Sequence, residues 1–177
     1  MNRILNLQGC LFALLTFAFT LLPACALAAD AVQVELDVKK AVPRAVEDLS
    51  ARGILRDYRV AWASIAQALQ FNTADPLEGP FSGGAKDWLR QTVTSQQQSG
   101  LSRRYTDQNH HVEAVLYSPE GDVIELHDTA QYHLQILDGG KTIHDENVVV
   151  HYVVLMTPGA DRWTVRQLQA VPQFQKE

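Results

Sequence analysis

Four long runs in which apolar and polar residues alternate fill the carboxyl-terminal half of the chain. Period-two alternation is typical of β-strands with one buried face, and short separators rich in Gly and Pro are typical of hairpin turns. The sequence therefore predicts four antiparallel strands joined as a meander. The predicted strands are 102–118, 122–137, 141–157 and 162–171, and the turns between them are 119–121, 138–140 and 158–161.

Upstream of these runs, the apolar period lengthens to that of a helix. Apolar residues recur three to five positions apart over 43–70, which predicts a helix with one buried face. Gly53 leaves open whether this is one helix or two. Ser82 suits the N-cap of a second helix over 83–98. The predicted inner face of that second helix carries Trp88, Leu89 and Val93. Helices followed by strands indicate an α+β fold, with N-terminal helices packed on a curved four-stranded antiparallel meander.

The first 28 residues have the layout of a cleaved secretory signal peptide. Arg3 precedes an apolar run over 11–22, and small residues near Ala28 suit signal peptidase. This run is shorter than the roughly twenty residues that a membrane-spanning helix needs, although an uncleaved anchor is an alternative. Residues 29–42 are predicted to form a linker or a short strand, and 43–177 a single cone-like α+β domain.

Both cysteines lie in this amino-terminal segment, at Cys10 and Cys25. Cleavage after Ala28 leaves a domain without a disulfide, a thiol nucleophile or a thiolate metal ligand. The sequence therefore predicts an exported protein, periplasmic or extracellular if bacterial. Alternatively, residues 22–25 act as a lipobox, and a lipid on Cys25 tethers the domain to a membrane.

Charge argues against one large class of partner. The chain has a formal net charge of −5, with 20 acidic and 15 basic residues. Binding to nucleic acid requires a basic excess, so we expect no nucleic acid partner. We expect no cofactor either.

The order of the elements resembles a known superfamily. A long first helix, a Phe-Ser-Gly lead-in to a second helix and long hairpins are similar to the nuclear transport factor 2-like (cystatin-like cone) superfamily. The residues that carry this resemblance are Tyr58, Trp62, Leu69, 80–89, 100–105 and the meander to Val171. The stretch around Phe81 is loosely similar to the division-associated cone domains of plastids and cyanobacteria. The superfamily contains enzymes, small-ligand binders and silent adaptors that pair through the sheet, so the resemblance implies a fold and no catalytic residue.

One carboxylate, Asp128, interrupts the apolar row of the second strand. If the turn at 119–121 has three residues, His110 becomes a diagonal neighbour of Asp128. The following turn leaves two registers open, of which one puts His151 opposite Asp128 and the other puts Val150 there.

Asp128 has a functional and a structural interpretation. A desolvated carboxylate with a raised pKa is an effective general base, so Asp128 with His110 or His151 is the candidate catalytic group of a small-molecule isomerase, dehydratase or hydrolase. In the structural interpretation, Asp128 caps backbone at a bulge, pairs with Arg104 or Arg166, or is partly solvated.

Other side chains also have two interpretations. Candidates for lining a small apolar ligand pocket, which could equally be core residues, are Trp62, Trp88, Tyr132 and Tyr152. Arg103 and Arg104 beside Tyr105 suit an anionic ligand or a solvated strand start. The histidines fall mostly on polar rows and lack a spacing that fixes metal ligands, so no metal site is predicted. They are His110, His111, His127, His133, His144 and His151.

The third predicted strand is apolar on both faces over 148–156. A strand of this kind is buried on both sides, so the face opposite the helices needs a cover. A second copy of the domain, or a partner protein, supplies that cover most economically. The leading hypothesis is therefore an exported, non-enzymatic domain that binds a partner or a ligand and associates through its sheet, with homodimerisation expected.

Overall fold

The computed structural model of the protein describes residues 31–174. Its strands are β1 (Gln33–Asp37), β2 (Val42–Pro43), β3 (Leu101–Tyr117), β4 (Ile124–Asp138), β5 (Lys141–Pro158) and β6 (Trp163–Val171). Its helices are α1 (Asp48–Phe71) and α2 (Gly83–Ser99), with a 3-10 turn at Asp75–Leu77 between them. The predicted α+β class is confirmed. The predicted signal peptide, with Cys10 and Cys25, lies outside the described residues.

All of these strands form one mixed sheet, in the order β1-β3-β4-β5-β6 with β2 also paired to β3. The four long strands make the predicted antiparallel meander. The prediction of four strands was incomplete, because β1 and β2 pair with β3 in parallel. Residues 29–42 were predicted to form a linker or a short strand, and Gln33–Asp37 within them form a short strand. Val34 is only 4% exposed, so burial against the rest of the fold, rather than local alternation, fixes β1.

Both helices pack on one face of this sheet. α1 continues through Gly53 without a break. α2 begins after Ser82, whose side chain makes no capping hydrogen bond. It ends at Gly100, which has the left-handed conformation that glycine adopts without steric cost (φ 70°). The side chains that α1 buries are Ile54, Asp57, Tyr58, Ala61, Trp62, Ile65, Ala68 and Leu69.

An extra residue in β5 decides which side chains meet across the sheet. Asp138 pairs with Lys141, as one predicted register requires, but Ile143 is then inserted and shifts the rest of β5 by one position. Asp128 consequently lies opposite Tyr152. Neither predicted register placed this residue there, because the bulge is invisible in a period-two pattern.

The inner face of the sheet, defined as the face that packs on α1 and α2, is closed, whereas the outer face is partly open. Fully buried inner residues are Val112, Ile124, Leu126, Val154 and Met156. On the outer face, Val149 is 62% exposed. Within residues 31–174, neither helix combines the length and the apolar character needed to cross a membrane.

Candidate functional site

Asp128 belongs to a buried hydrogen-bonded group with Tyr58 and His110, which we call the Asp128 cluster. The Tyr58 hydroxyl donates to Oδ2 of Asp128 over 2.7 Å. Nδ1 of His110 lies 2.7 Å from the same oxygen. Because an ionised carboxylate can only accept hydrogen bonds, Nδ1 of His110 is the donor in that contact.

Three elements position this cluster. Tyr58 comes from the buried face of α1, His110 from β3 and Asp128 from β4. His110 pairs with Ala130 across β3 and β4, which makes it the diagonal neighbour of Asp128. The structure thus brings Asp128 and His110 together, and adds a helix residue that the strand pattern could not indicate.

The Asp128 cluster is enclosed on all sides. Asp128 and His110 are 0% exposed, and Tyr58 is 1% exposed. Burial and the negative charge of Asp128 raise the pKa of Tyr58, so its hydroxyl remains a hydrogen-bond donor. Among residues 31–174, Oδ1 of Asp128 and Nε2 of His110 have no hydrogen-bond partner. A general base must lie within hydrogen-bond reach of its substrate, and the closed cluster offers no atom to a molecule in solution.

His151 lies apart from Asp128. It pairs with Thr129, on the outer face, and its Nδ1 lies 3.1 Å from the Thr129 hydroxyl. The predicted register that joined His151 to Asp128 is wrong, because the bulge at Ile143 shifts β5 by one residue. One residue of shift turns every side chain to the opposite face.

Aromatic rings surround the Asp128 cluster. The Trp62 ring centroid lies 4.3 Å from that of His110 and 5.2 Å from that of Tyr152. The hydroxyls of Tyr132 and Tyr152 are 3.2 Å apart. Burial raises the pKa of both tyrosines. Trp62, Tyr132 and Tyr152 are 2%, 7% and 8% exposed, so these candidate pocket residues pack against one another.

Trp88, the fourth candidate pocket residue, is separate from these three. It is 50% exposed, whereas its neighbours Leu89 and Val93 are 1% and 2% exposed. It lines a different cleft, together with Arg103 and Ile136. The predicted inner face of α2 was wrong for this one residue, because the buried stripe of α2 passes through Ala85, Leu89 and Val93 instead.

Each of the remaining four histidines lies near one acidic side chain, and His133 also contacts Asn147. These pairs are His111 with Glu35 (3.7 Å), His127 with Glu125 (3.1 Å), His133 with Asp145 (3.0 Å) and His144 with Glu146 (2.9 Å). Across residues 31–174, no three His, Cys, Asp or Glu side chains converge as metal ligands would.

A groove of about 900 Å³ runs along the outer face of the sheet, and we call it the outer groove. Its apolar walls are formed by Val42, Val115, Leu116, Val153, Val171, Pro172 and Phe174. Its charged rim is formed by Lys40, Glu113, Glu125 and His127. Val42 is 61% exposed and Leu116 39%, so the groove presents apolar surface to solvent.

The segment that follows β6 closes one side of the outer groove. The Phe174 ring stacks on His127, with centroids 4.5 Å apart and planes 4° apart. It also meets the His151 ring edge-on at 4.9 Å. The face over 148–156 is thus partly covered from within the same chain, which the sequence analysis did not anticipate.

Two residues of the buried polar network were missed in the sequence. Tyr58 lies in the helix predicted over 43–70, and the sequence analysis gave its hydroxyl no partner, although a buried tyrosine hydroxyl requires one. Asp57, 7% exposed, binds the Arg56 guanidinium at 2.8 Å and accepts a hydrogen bond from the Trp163 backbone N–H at 2.8 Å. No sequence signal distinguishes Asp57 from Asp48, the exposed acid of α1.

No protein-family model matches the chain, and neither does any curated protein sequence. Among solved structures, the intermembrane space region of the chloroplast protein ARC6 is similar, with a TM-score of 0.56 and 13% identity. That similarity covers 73% of this chain and 98% of the ARC6 region. A de novo designed β-sheet protein matches with a TM-score of 0.36 and 18% identity, over 68% of this chain and 88% of the design. At 13% identity, the ARC6 likeness establishes a shared fold.

Proposed function

We propose that this protein is an exported, non-catalytic interaction domain that pairs with a second copy of itself through the outer face of its sheet. The observation that carries the proposal is the outer groove, where apolar walls stay open to solvent. Large apolar patches with polar rims are typical of protein–protein contacts.

The groove joins other apolar surface on the same face. Val149 is 62% exposed and lies on the same face of β5 as Val153, with His151 between them. Val42 and Leu116, which line the groove itself, lie where β2 pairs with β3. Burial of this surface would gain roughly 25 cal/mol for each Å² of apolar area removed from water.

The charges at the rim favour a second copy as the occupant. A two-fold interface places the same patch on both subunits, so the patch must be complementary to itself. The rim has this property, since the cation Lys40 lies among the acids Glu113 and Glu125. Lys40 now pairs with Glu113 within the chain at 2.8 Å, in an exposed contact that is free to exchange partners.

The enclosure of the Asp128 cluster argues against the alternative of a small-molecule enzyme. A reacting group has to touch its substrate, and Asp128 and His110 are 0% exposed. The likeness to the ARC6 region supports a shared fold, and the proposed association rests on the outer groove.

Export is part of the same proposal and rests on the amino-terminal sequence. Residues 1–28 have the layout of a cleaved secretory signal, and both cysteines lie within them. The exported domain would then have no thiol to oxidise.

Light scattering on the exported chain tests the proposal. We expect twice the mass of one chain, and we expect Leu116→Asp to reduce it to a monomer by placing a charge in the apolar wall. Leu49→Asp is the matched control, because Leu49 is 76% exposed on α1, on the helix side of the sheet. A wild-type protein that stays monomeric at all accessible concentrations, or a Leu116→Asp variant that still dimerises, would show the proposal to be wrong.

A further inference from the structure

A second concave site lies on the helix side of the molecule, away from the outer groove. It is a cleft of about 520 Å³ between α2 and the first residues of β3, and we call it the Trp88 cleft. Sites for small molecules usually enclose roughly 300–1,000 Å³, so its size suits a small ligand. The residues that matter for its chemistry are Trp88 and Gln96 on α2, Leu101 and Arg103 on β3, and Ile136 on β4.

Trp88 gives the cleft a large apolar wall that packing of the fold does not require. The buried face of α2 is complete without it, since Ala85, Leu89 and Val93 are 1–2% exposed. Half of the Trp88 side chain is left in the open, at 50% exposure, and it faces the same cleft as Leu101 and Ile136. An indole ring opposite two aliphatic side chains accommodates a flat apolar body.

Arg103 gives the cleft a positive charge. It pairs across the sheet with Ile136, so its side chain shares the inner face with the apolar wall. In the described part of the chain, the ion pairs of the other arginines involve Glu47, Asp57, Glu78 and Asp161, and none includes Arg103. Its charge acts instead on Tyr105: burial raises the pKa of Tyr105 to about 12, and the nearby Arg103 charge opposes that rise. An unneutralised guanidinium next to apolar walls is well suited to a carboxylate, which it can bind in bidentate fashion.

Gln96 adds an unused acceptor at the buried side of the cleft. Its Nε2 donates to the Leu69 carbonyl at 3.0 Å and to Oδ1 of Asn72 at 2.6 Å. These two acceptors fix the orientation of the amide. Within the described residues, Oε1 of Gln96 has no hydrogen-bond partner, although Gln96 is only 4% exposed. A buried unpaired carbonyl oxygen is costly, and a ligand O–H or N–H group would satisfy it.

We propose that the Trp88 cleft binds a small organic carboxylate with a flat apolar body, its carboxylate on Arg103 and its body between Trp88, Leu101 and Ile136. A hydroxyl group at the far end of the body would donate to Gln96. This site is independent of the outer groove, because it lies on the opposite side of the sheet. Binding there and self-association can therefore succeed or fail separately.

The test uses 6-hydroxy-2-naphthoate as the probe and 6-hydroxy-2-naphthamide as its uncharged counterpart, with affinity measured by calorimetry on the exported chain. We expect the carboxylate to bind about tenfold more tightly than the amide, since hydrogen bonds to an ionised group are roughly twice as strong as those between neutral groups. We expect Arg103→Gln to remove that preference while leaving amide binding unchanged. Arg90→Gln is the matched control, because Arg90 is an exposed arginine of α2 that pairs with Glu78 at 3.0 Å.

Trp88→Ala gives a second, independent measurement. It should weaken both probes by a similar factor, because it removes the wall that the flat body contacts, and circular dichroism would show an unchanged fold since Trp88 is half exposed. The proposal is overturned if neither probe binds up to its solubility limit. It is equally overturned if Arg103→Gln and Arg90→Gln have the same effect on the carboxylate.

Discussion

On the inner face of β4, Asp128 is enclosed by Tyr58 and His110, whereas the next residue, Thr129, meets His151 on the outer face. Both strand positions carry a polar side chain with a histidine partner. Asp128 and His110 are 0% exposed, while Thr129 and His151 keep contact with solvent. Two adjacent residues of one strand therefore lie in different environments, one in the core and one in contact with water. A polar side chain with a histidine partner consequently affects stability differently on each face.

The comparison teaches that a polar residue in an apolar row does not by itself indicate a reactive site. Asp128 is accommodated in the apolar row because α1 and β3 bring two hydrogen-bonding side chains, Tyr58 and His110, to its Oδ2 inside the core. The outer face is where apolar side chains remain without cover, and where we place the function. The following predictions test this contrast, beginning with the largest expected effect.

Asp128→Ala should destabilise the fold by about 3–5 kcal/mol, because it leaves the Tyr58 hydroxyl and Nδ1 of His110 as unpaired buried donors. Thr129→Ala is the outer-face control and should cost less than about 1 kcal/mol. Urea denaturation with an unchanged m-value would measure both. If the two substitutions cost the same, the two faces do not differ in the way we describe.

A matched pair of valines in β5 should show the next largest difference. Val154 is 0% exposed on the inner face and Val149 is 62% exposed on the outer face. Val154→Thr buries an unpaired hydroxyl and should cost about 1–3 kcal/mol. Val149→Thr should change the free energy of unfolding by less than about 0.5 kcal/mol. Thermal or urea unfolding of both variants, measured at a concentration where each is monomeric, provides the comparison.

Tyr58→Phe should cost about 1 kcal/mol, since it removes one hydrogen bond to Asp128 and leaves the one from His110 in place. A loss of this size would indicate that Asp128 is shared by Tyr58 and His110, rather than paired with Tyr58 alone. A cost as large as that of Asp128→Ala would mean that the His110 contact contributes nothing without Tyr58. Chemical denaturation of the two variants, side by side, makes this measurement.

The last effect appears only in alkaline solution. Burial raises the pKa of Tyr105 to about 12, and it also raises the pKa values of Tyr58, Tyr132 and Tyr152. A raised pKa in the folded state gives stability that is complete below the unfolded-state pKa of about 10 and is lost as pH rises above it. We therefore expect stability to fall from about pH 10 upward. Tyr105→Phe should make that fall less steep between pH 10 and about 12.

Absorbance of tyrosinate, followed together with circular dichroism, would check the alkaline prediction. Ionisation of the buried tyrosines should coincide with loss of the fold. If all the tyrosines ionise near pH 10 while the fold persists, the inner face is open to solvent and the contrast between the two faces fails.

Much of the fold could be predicted from local patterns. Alternation and turn residues located β3 to β6 within one or two residues, and the helical period located α2 from Gly83 onward. α2 ends at Gly100, because its left-handed backbone is one that glycine adopts readily. These features are set by side-chain period and backbone sterics, which act over a few neighbouring residues.

The candidate site was predictable only in part. The diagonal contact of Asp128 and His110 was predicted from a three-residue turn at 119–121. Next to that turn the pairing differs by one residue, with Tyr117 opposite Ile124, and a bulge between Ala114 and Leu116 restores the predicted register. The position of His151 depends on the register between β4 and β5, and the bulge at Ile143 changed that register by one residue. The role of Tyr58 depended on how α1 crosses the sheet, which no strand pattern encodes.

The amino-acid sequence by itself determined the kinds of element, their order and the antiparallel meander, because hydrophobic period and turn chemistry are local properties. Only the tertiary structure decided that β1 joins β3 in parallel, that Asp128 is sealed rather than accessible, and that Trp88 faces a cleft. Each of these depends on which distant surfaces exclude water from one another. Burial is a property of the assembled fold, so it became visible only when the helices and the sheet were in place.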